Sequence, residues 1–389
     1  MYNRSIIHFD LETFFVSCER LLNPGLKGVP LIVGGSSDRG VVLSCSKEAQ
    51  YYGVRSSMPI RLALQHCPNA KVIRGDLEHY SDQSSIITEI IAEQAPVMEK
   101  AGLSEFYVDG TGLDRFFGCL KWSTELQKRI NKETGLPVNF GLSVNKTVAK
   151  MANGERGSSN YVEVPSTEVR PFLSPLAVRK IPGIGRVHYQ TLSRIGVRKI
   201  YTLADMPVEV LQRIIGKQGQ NIWKKANGID STPVVPYDEK KSISIERTFE
   251  KDTIDLIRIR SMLTGMVEKL AFELRQKQKL TSIVSVKLRY TNLDVNSKQK
   301  KIAYTASDGL LIQLVLDLFD RIYERRMLIR MIGIRFSGLV SGAHQINLFD
   351  GTPEKVALYQ ALDRMKNRYG NNAVRRCTSF EFEDQVKVG

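Results

Sequence analysis

Long apolar runs are missing from this 389-residue chain: none approaches the roughly 20 residues that a membrane span requires. A secretory leader is missing too, because Met1-Tyr2-Asn3-Arg4 leads straight into a strand, and a cytoplasmic location is the expectation. Cysteine is sparse. Cys18, Cys45, Cys67, Cys119 and Cys377 are scattered, with no CxxC pair and no Cys/His grouping at zinc spacing. That argues against a disulfide framework or a structural metal and leaves them as reduced, small apolar residues. No basic amphipathic helix stands out to favour an acidic membrane, and RNA-binding aromatic motifs are absent.

What is present is globular in balance, with 42% hydrophobic and 25% charged residues. The length exceeds one ordinary core and implies about two to four domains. The formal charge of +15 is the footprint of a polyanion partner, with nucleic acid leading.

The stretch Ile6-Ile7-His8-Phe9-Asp10-Leu11-Glu12-Thr13-Phe14-Phe15 opens as a β-branched and aromatic strand and turns into a helix. Residues two apart on a strand face the same way, so Asp10 and Glu12 share a side at its end. Two readings follow. A carboxylate pair can hold a hard cation such as Mg²⁺; equally, both acids could cap the following helix.

Beyond it, residues 27–74 read as a small inserted module of strands and short helices, with a helix stop at Gly53. A helix over 76–93, a strand over 103–109, a helix over 121–133, a strand over 138–144 and a helix over 146–152 predict an α/β or α+β layer arrangement. Residues 166–228 are mainly short helices. There Lys180-Ile181-Pro182-Gly183-Ile184-Gly185-Arg186 precedes an apolar helical run, a spacing that resembles the helix-hairpin-helix clamp on a DNA backbone. Residues 229–241, polar and carrying two prolines, read as an extended linker. The order β, α, β, β, α, β over 242–338 predicts a ferredoxin-like module. Residues 241–345 hold 19 Lys or Arg against 11 Asp or Glu, which suits a groove-tracking DNA contact. The tail carries Gln345-Ile346-Asn347-Leu348-Phe349, a basic helix over 353–369, and a final stretch, 380–384, expected to be loosely ordered.

Taken in order, Phe9 to Phe15, Gly53 to Pro59, Glu105 to Asp109, Gly141 to Lys146, Ile181 to Gly185 and Ser242 to Phe249 resemble the DNA polymerase IV branch of the Y-family translesion polymerases over essentially the whole chain. The resemblance implies an α+β, multidomain right hand with a βαββαβ little finger, and a monomer. Its parts would be palm (1–26 and 75–165), fingers (27–74), thumb (166–228), linker (229–241), little finger (242–340) and tail (341–389). It implies a two-Mg²⁺ site with Asp10 as the first ligand, Glu105 as the last and a backbone carbonyl from Leu11. It implies primer-template DNA and dNTP as substrates, with Phe14, Phe15, Lys47, Gln50 and Arg156 near the nucleotide. Phe15 would be the bulky gate against a ribose 2′ hydroxyl. Gly183, Gly185, Arg186 and Arg247 would touch DNA, and Gln345, Leu348 and Phe349 would engage a sliding clamp.

The chain departs from the family pattern at several points. Ser104, a neutral hydroxyl, stands where the family has its second metal aspartate, and Glu12 stands where aspartate is common. Ser46-Lys47-Glu48-Ala49-Gln50 replaces a Ser-Tyr-Glu-Ala-Arg run, and Gly157-Ser158-Ser159-Asn160 replaces a Lys-Pro-Asn-Gly loop. Lys47 and Arg156 lie close to the missing cations. Two functional expectations result: a translesion polymerase slowed by a weakened metal site, or a polymerase-shaped accessory protein that binds DNA and the clamp.

Overall fold

The computed structural model describes residues 4–35, 39–113, 118–236, 241–324, 326–342, 352–370 and 373–382. Contacts divide the chain into two compact units, Met1–Asp238 and Glu239–Gly389.

The first unit is built on β1 (Ile6–Asp10), whose Ile6, Ile7 and Phe9 are fully buried, as a strand with neighbours on both edges and both faces requires. It runs into α1 (Phe14–Leu22). A three-stranded layer follows, with β2 (Leu31–Gly34), β3 (Val42–Cys45), α2 (Lys47–Tyr51), α3 (Ile60–His66) and β4 (Lys71–Arg74), in sheet order β3-β2-β4. Next come α4 (Leu77–Gln94), β5 (Val97–Lys100), β6 (Glu105–Asp109), α5 (Cys119–Thr134), β7 (Asn139–Ser143), α6 (Lys146–Gly154) and β8 (Tyr161–Glu163). The five-stranded sheet has the order β5-β6-β1-β7-β8, with β1 antiparallel to β6 and β7. The edge strands β5 and β8 are not among the sequence expectations. Both are short, and neither contains a fully buried residue, so the apolar alternation that marks an inner strand is lacking.

Helix α6 lies unusually close to the sheet. A Cβ on Gly141 would come within 2.2 Å of the Ala149 carbonyl oxygen and 2.6 Å of the Asn153 nitrogen, so only glycine permits this contact. One side of α6 (Val148, Met151, Ala152) joins a helical core with Leu173, Leu192 and Leu211. That core is formed by α7 (Val169–Leu173), α8 (Arg186–Arg194), α9 (Ile200–Ala204), α10 (Val208–Ile215) and α11 (Gly219–Ala226).

The segment after α11 differs from a free tether. The Asn145 amide donates to the Gly228 carbonyl at 2.8 Å, and Arg4 donates to the Asp230 and Thr232 carbonyls at 3.3 and 2.6 Å. The Thr147 hydroxyl reaches the Asp230 carboxylate at 2.7 Å and the Val235 N–H reaches Glu99 at 2.8 Å. Residues 228–235 are therefore strapped to the first unit.

The second unit holds β9 (Ser242–Thr253), α12 (Leu256–Gln276), β10 (Lys279–Tyr290), β11 (Val295–Thr305), α13 (Asp308–Ile322) and β12 (Ile329–Ser337), the β, α, β, β, α, β order expected. Sheet order is β11-β10-β12-β9, with β13 (Val340–Ser341) added to β10. The second and fourth strands of the module are central, whereas a ferredoxin-like sheet centres its first and third, so that expectation is corrected, because element order alone leaves the side on which each crossover lands open. Along β10, Val284, Val286 and Leu288 face the core with Leu263, Leu270 and Phe319 of the helices, while Ser285 and Lys287 alternate to the other face. That other face is a groove lined by Ser244, Glu246, Lys287, Gln299 and Arg335, among others.

The tail is fastened to the helical side. Helix α14 (Thr352–Tyr369) presents Asp363, whose carboxylate takes the Arg275 guanidinium at 2.7 and 2.9 Å, and Arg275 also donates to Asp308 at 2.5 Å. A 3₁₀ turn, Cys377–Phe382, places the Ser379 hydroxyl 2.9 Å from Glu268, with Arg376 at 3.0 Å from the same carboxylate. The loose order expected from residue 380 is thus corrected as far as 382. A buried glutamate with a serine and an arginine to bond outweighs the polar composition of that stretch.

Candidate active site

The site forms at the end of β1, where the strand register sets two rows across three strands. His8 lies between Tyr107 of β6 and Gly141 of β7; Asp10 lies between Glu105 and Asn139. Asp10 and Glu105 are thus directly opposed, the arrangement in which cross-strand side chains approach most closely. The Leu11 N–H donates to the Ser104 carbonyl at 3.0 Å and continues the ladder one step, which puts half-buried Ser104 beside the Asp10–Leu11 corner.

Glu105 is held by its neighbours. Its Oε1 accepts from His8 Nε2 at 2.6 Å, from the Lys150 ammonium, and more distantly from the Tyr107 hydroxyl at 3.4 Å. The histidine tautomer follows from Asn153. Its Nδ2 donates to the His8 carbonyl, which can only accept, so the same NH₂ group donates to Nδ1 at 3.1 Å and leaves the proton on Nε2. Burial raises the Glu105 carboxyl, but the bonds from His8 and Lys150 outweigh it and hold the pKa down to about 2. Asp10 moves the other way: burial pushes its pKa up and Glu105 adds to this, against the opposing effect of His8 and of the cations Arg156 and Lys150.

None of His8, Lys150, Asn153 or Tyr107 is among the residues expected from sequence. A signal was there: Lys146, Lys150 and Asn153 fall at i, i+4 and i+7 of α6, a polar stripe on a helix whose other side is apolar. Lys146 pairs with Glu99 at 2.6 Å and lies 4.7 Å from the Tyr107 ring. The Gly141 contact brings this stripe down onto the sheet.

Neither acid caps α1. Its N-cap is Thr13, in the left-handed region at φ 55°, with no side-chain bond and no acid in the first turn. The strand also ends at Asp10, so Glu12 does not share its side as strand parity implies. Instead Glu12 Oε2 lies 2.5 Å from Arg156 and 3.5 Å from Lys47. Lys47 and Arg156 are therefore brought together on one carboxylate.

Several residues expected near the substrates have protein surroundings of their own. Phe14 is 2% exposed and packs in the core; Phe15 is half-buried, with its ring 4.9 Å from that of Tyr80. The Gln50 amide donates to the Cys45 carbonyl at 3.1 Å, a backbone acceptor within its own strand-helix corner. Arg247 is half-buried, opposes Ile332, and has the strand parity of buried Ile243 and Phe249, so the register puts it on the helix side and not in the groove of Lys287 and Arg335.

Gly183 has φ 106° and Gly185 is the N-cap of α8, whose first residue is Arg186; the first N–H groups of α8 have no intrahelical partners. Gln345, Leu348 and Phe349 lie outside the described residues.

The donor set suits one hard divalent cation. Asp10, the second oxygen of Glu105 and the Leu11 carbonyl are all oxygen ligands, and a cation would relieve the buried charge of Asp10. A second cation is less well served, because Ser104 is neutral and Glu12 is engaged by Arg156 and Lys47. Among the described residues no group of three or more His, Cys, Asp or Glu is placed to hold a metal. No described helix is long and apolar enough to cross a membrane.

Known proteins resemble this chain over most of its length. Residues 9–154 match the impB/mucB/samB family, residues 240–348 match the C-terminal domain of that family, and residues 179–230 match the DNA polymerase-iota thumb domain. DNA polymerase IV of Dehalococcoides mccartyi is 31% identical over 385 residues, covering 98% of this chain and 99% of the relative. That of Exiguobacterium sibiricum is 35% identical over 345 residues, covering 87% and 95%. A Y-family DNA polymerase chimera, Dbh-Dpo4(243-245)-Dbh, superposes with a TM-score of 0.77 at 27% identity, covering 87% of this chain and 100% of the chimera. DinB from Sulfolobus solfataricus gives 0.61 at 26% identity, over 87% and 100%.

Proposed function

Because this chain belongs to the DNA polymerase IV branch of the Y-family DNA polymerases, we propose that it extends primed DNA templates with dNTPs in translesion synthesis, at a rate lowered by Ser104. The observation that carries this reading is the register opposition of Asp10 and Glu105, with Glu105 held ionised beside it.

Asp10, Glu105 and the Leu11 carbonyl would hold Mg²⁺, whose charge favours ionisation of the primer 3′ hydroxyl and offsets that of the leaving pyrophosphate. His8, Lys150 and Tyr107 fix one oxygen of Glu105 and leave the other for this duty. Ser104 supplies no charge where the family has an aspartate, and losing one ligand of a preorganised electrostatic site costs about 10² to 10³ in rate. Phe15 stands against a ribose 2′ hydroxyl. Arg156 and Lys47 supply positive charge for the triphosphate. The amides at Gly183, Gly185 and Arg186 seat a DNA phosphate, and Lys287 and Arg335 line a groove for the duplex backbone. The Gln345, Leu348 and Phe349 peptide is assigned to a sliding clamp on its sequence.

Primer extension with Mg²⁺ or Mn²⁺ tests this. Incorporation by the parent, its loss in Asp10→Ala and a gain of about 10²-fold in Ser104→Asp are expected. Absence of incorporation by the parent beside clear incorporation by Ser104→Asp would overturn the reading for the natural chain.

A further inference from the structure

Glu12 is bonded to two cations from distant parts of the sequence, and the arrangement is lopsided. One carboxylate faces two positive charges, Arg156 at 2.5 Å and Lys47 at 3.5 Å. The three side chains differ in freedom: that of Arg156 is 11% exposed, that of Glu12 37% and that of Lys47 75%. Arg156 does not depend on Glu12 for its place, because its Nη1 donates to the Asn153 carbonyl at 2.8 Å and to the Asn153 side-chain oxygen at 3.2 Å. Asn153 is itself buried and tied to His8. The guanidinium is therefore fixed beside the Asp10 and Glu105 corner, while the carboxylate that neutralises it sits on a solvent-accessible turn.

We propose that Glu12 is a charge gate for the incoming nucleotide: its carboxylate occupies Arg156 and Lys47 until a triphosphate displaces it. This rests on the polymerase reading and adds a role for an acid that neither caps α1 nor joins Asp10 and Glu105. A polyphosphate carries several negative charges and several acceptor oxygens, so it outcompetes a single carboxylate for both cations. Glu12 is a positioning residue here. It sets how much of the attraction of Arg156 and Lys47 is free to act on substrate, and weakly charged ligands such as monophosphates are rejected because they cannot displace it.

The test is binding of inorganic tripolyphosphate and of dATP to the full chain, by calorimetry without DNA. Glu12→Gln keeps the shape and an acceptor for Arg156 but removes the charge, and tightens both ligands by roughly threefold to tenfold. Glu12→Asp keeps the charge and stays near the parent affinity. Arg156→Ala and Lys47→Ala weaken binding. In primer extension, KM for dATP falls in Glu12→Gln, whereas a merely structural loss would raise it. Unchanged or weaker tripolyphosphate binding by folded Glu12→Gln, or none by any variant, overturns the gate. Because calorimetry needs no turnover, a chain that fails to extend primers but shows the Glu12→Gln gain would sink the polymerase reading and leave the anion gate standing.

Discussion

His8 and Gly141 face each other across β1 and β7, and the side chain that one lacks is what lets Asn153 reach the ring of the other. The position of Glu105 thus depends on a glycine two strands away from it.

Gly141→Ala is therefore expected to act as an overpacking substitution. The new methyl would meet backbone atoms of α6, which cannot rotate aside, and a loss of about 1–3 kcal/mol in unfolding free energy follows. Denaturant unfolding measures it. The same variant should lose the bond between Asn153 and His8, visible as a changed His8 ring signal in NMR.

Acid should remove stability that Glu105 contributes. Its folded pKa lies below the usual value, so the contribution is complete above about pH 4.5 and is lost as the pH falls toward about 2. At about 1.4 kcal/mol per pH unit this is of order 3 kcal/mol. Stability measured in EDTA across this window should fall less steeply in Glu105→Gln.

Asp10 has the opposite sign. Its pKa is raised by burial, so its ionised form costs stability at neutral pH and the cost disappears in acid. Asp10→Asn should raise the thermal midpoint of the metal-free protein. Added Mn²⁺ should raise the midpoint of the parent and leave that of Asp10→Asn unchanged.

Arg275 is one of the buried charges of the second unit, with Asp308 and Asp363 as partners. Arg275→Met would strand Asp308, which is 4% exposed, and should cost about 3–5 kcal/mol. Arg275→Lys should recover only part of this, because an ammonium cannot make the two-pronged bond to Asp363. Unfolding followed by Trp-independent far-UV signal and by proteolysis of 239–389 would report both.

Much of this was legible in the chain itself. The β-branched and aromatic run Ile6 to Phe9 before an acid marks a strand with a site at its end, and the strand and helix periods beyond residue 242 give the element order of the second sheet, though not which strands lie at its centre. Edge strands such as Val97–Lys100 were not legible, because half-buried residues at every position leave no alternation to read. Nor was the partner of Glu12. Arg156 is 144 residues away, and only the turn at Thr13 and the packing of α6 bring them together. Arg247 shows the limit of motif transfer: its place in a familiar run says nothing about which side of the sheet it faces.

The Arg275, Glu268 and Ser379 contacts make α14 and the 3₁₀ turn after it a wall of the module they follow. A truncation before residue 352, designed to delete the Gln345 peptide, would also expose two buried carboxylates and an arginine to water. Any phenotype would then mix a lost handle with a loosened building block, so single-residue changes in the peptide are the cleaner dissection. A fusion partner, for the same reason, is better carried at the other end of the chain.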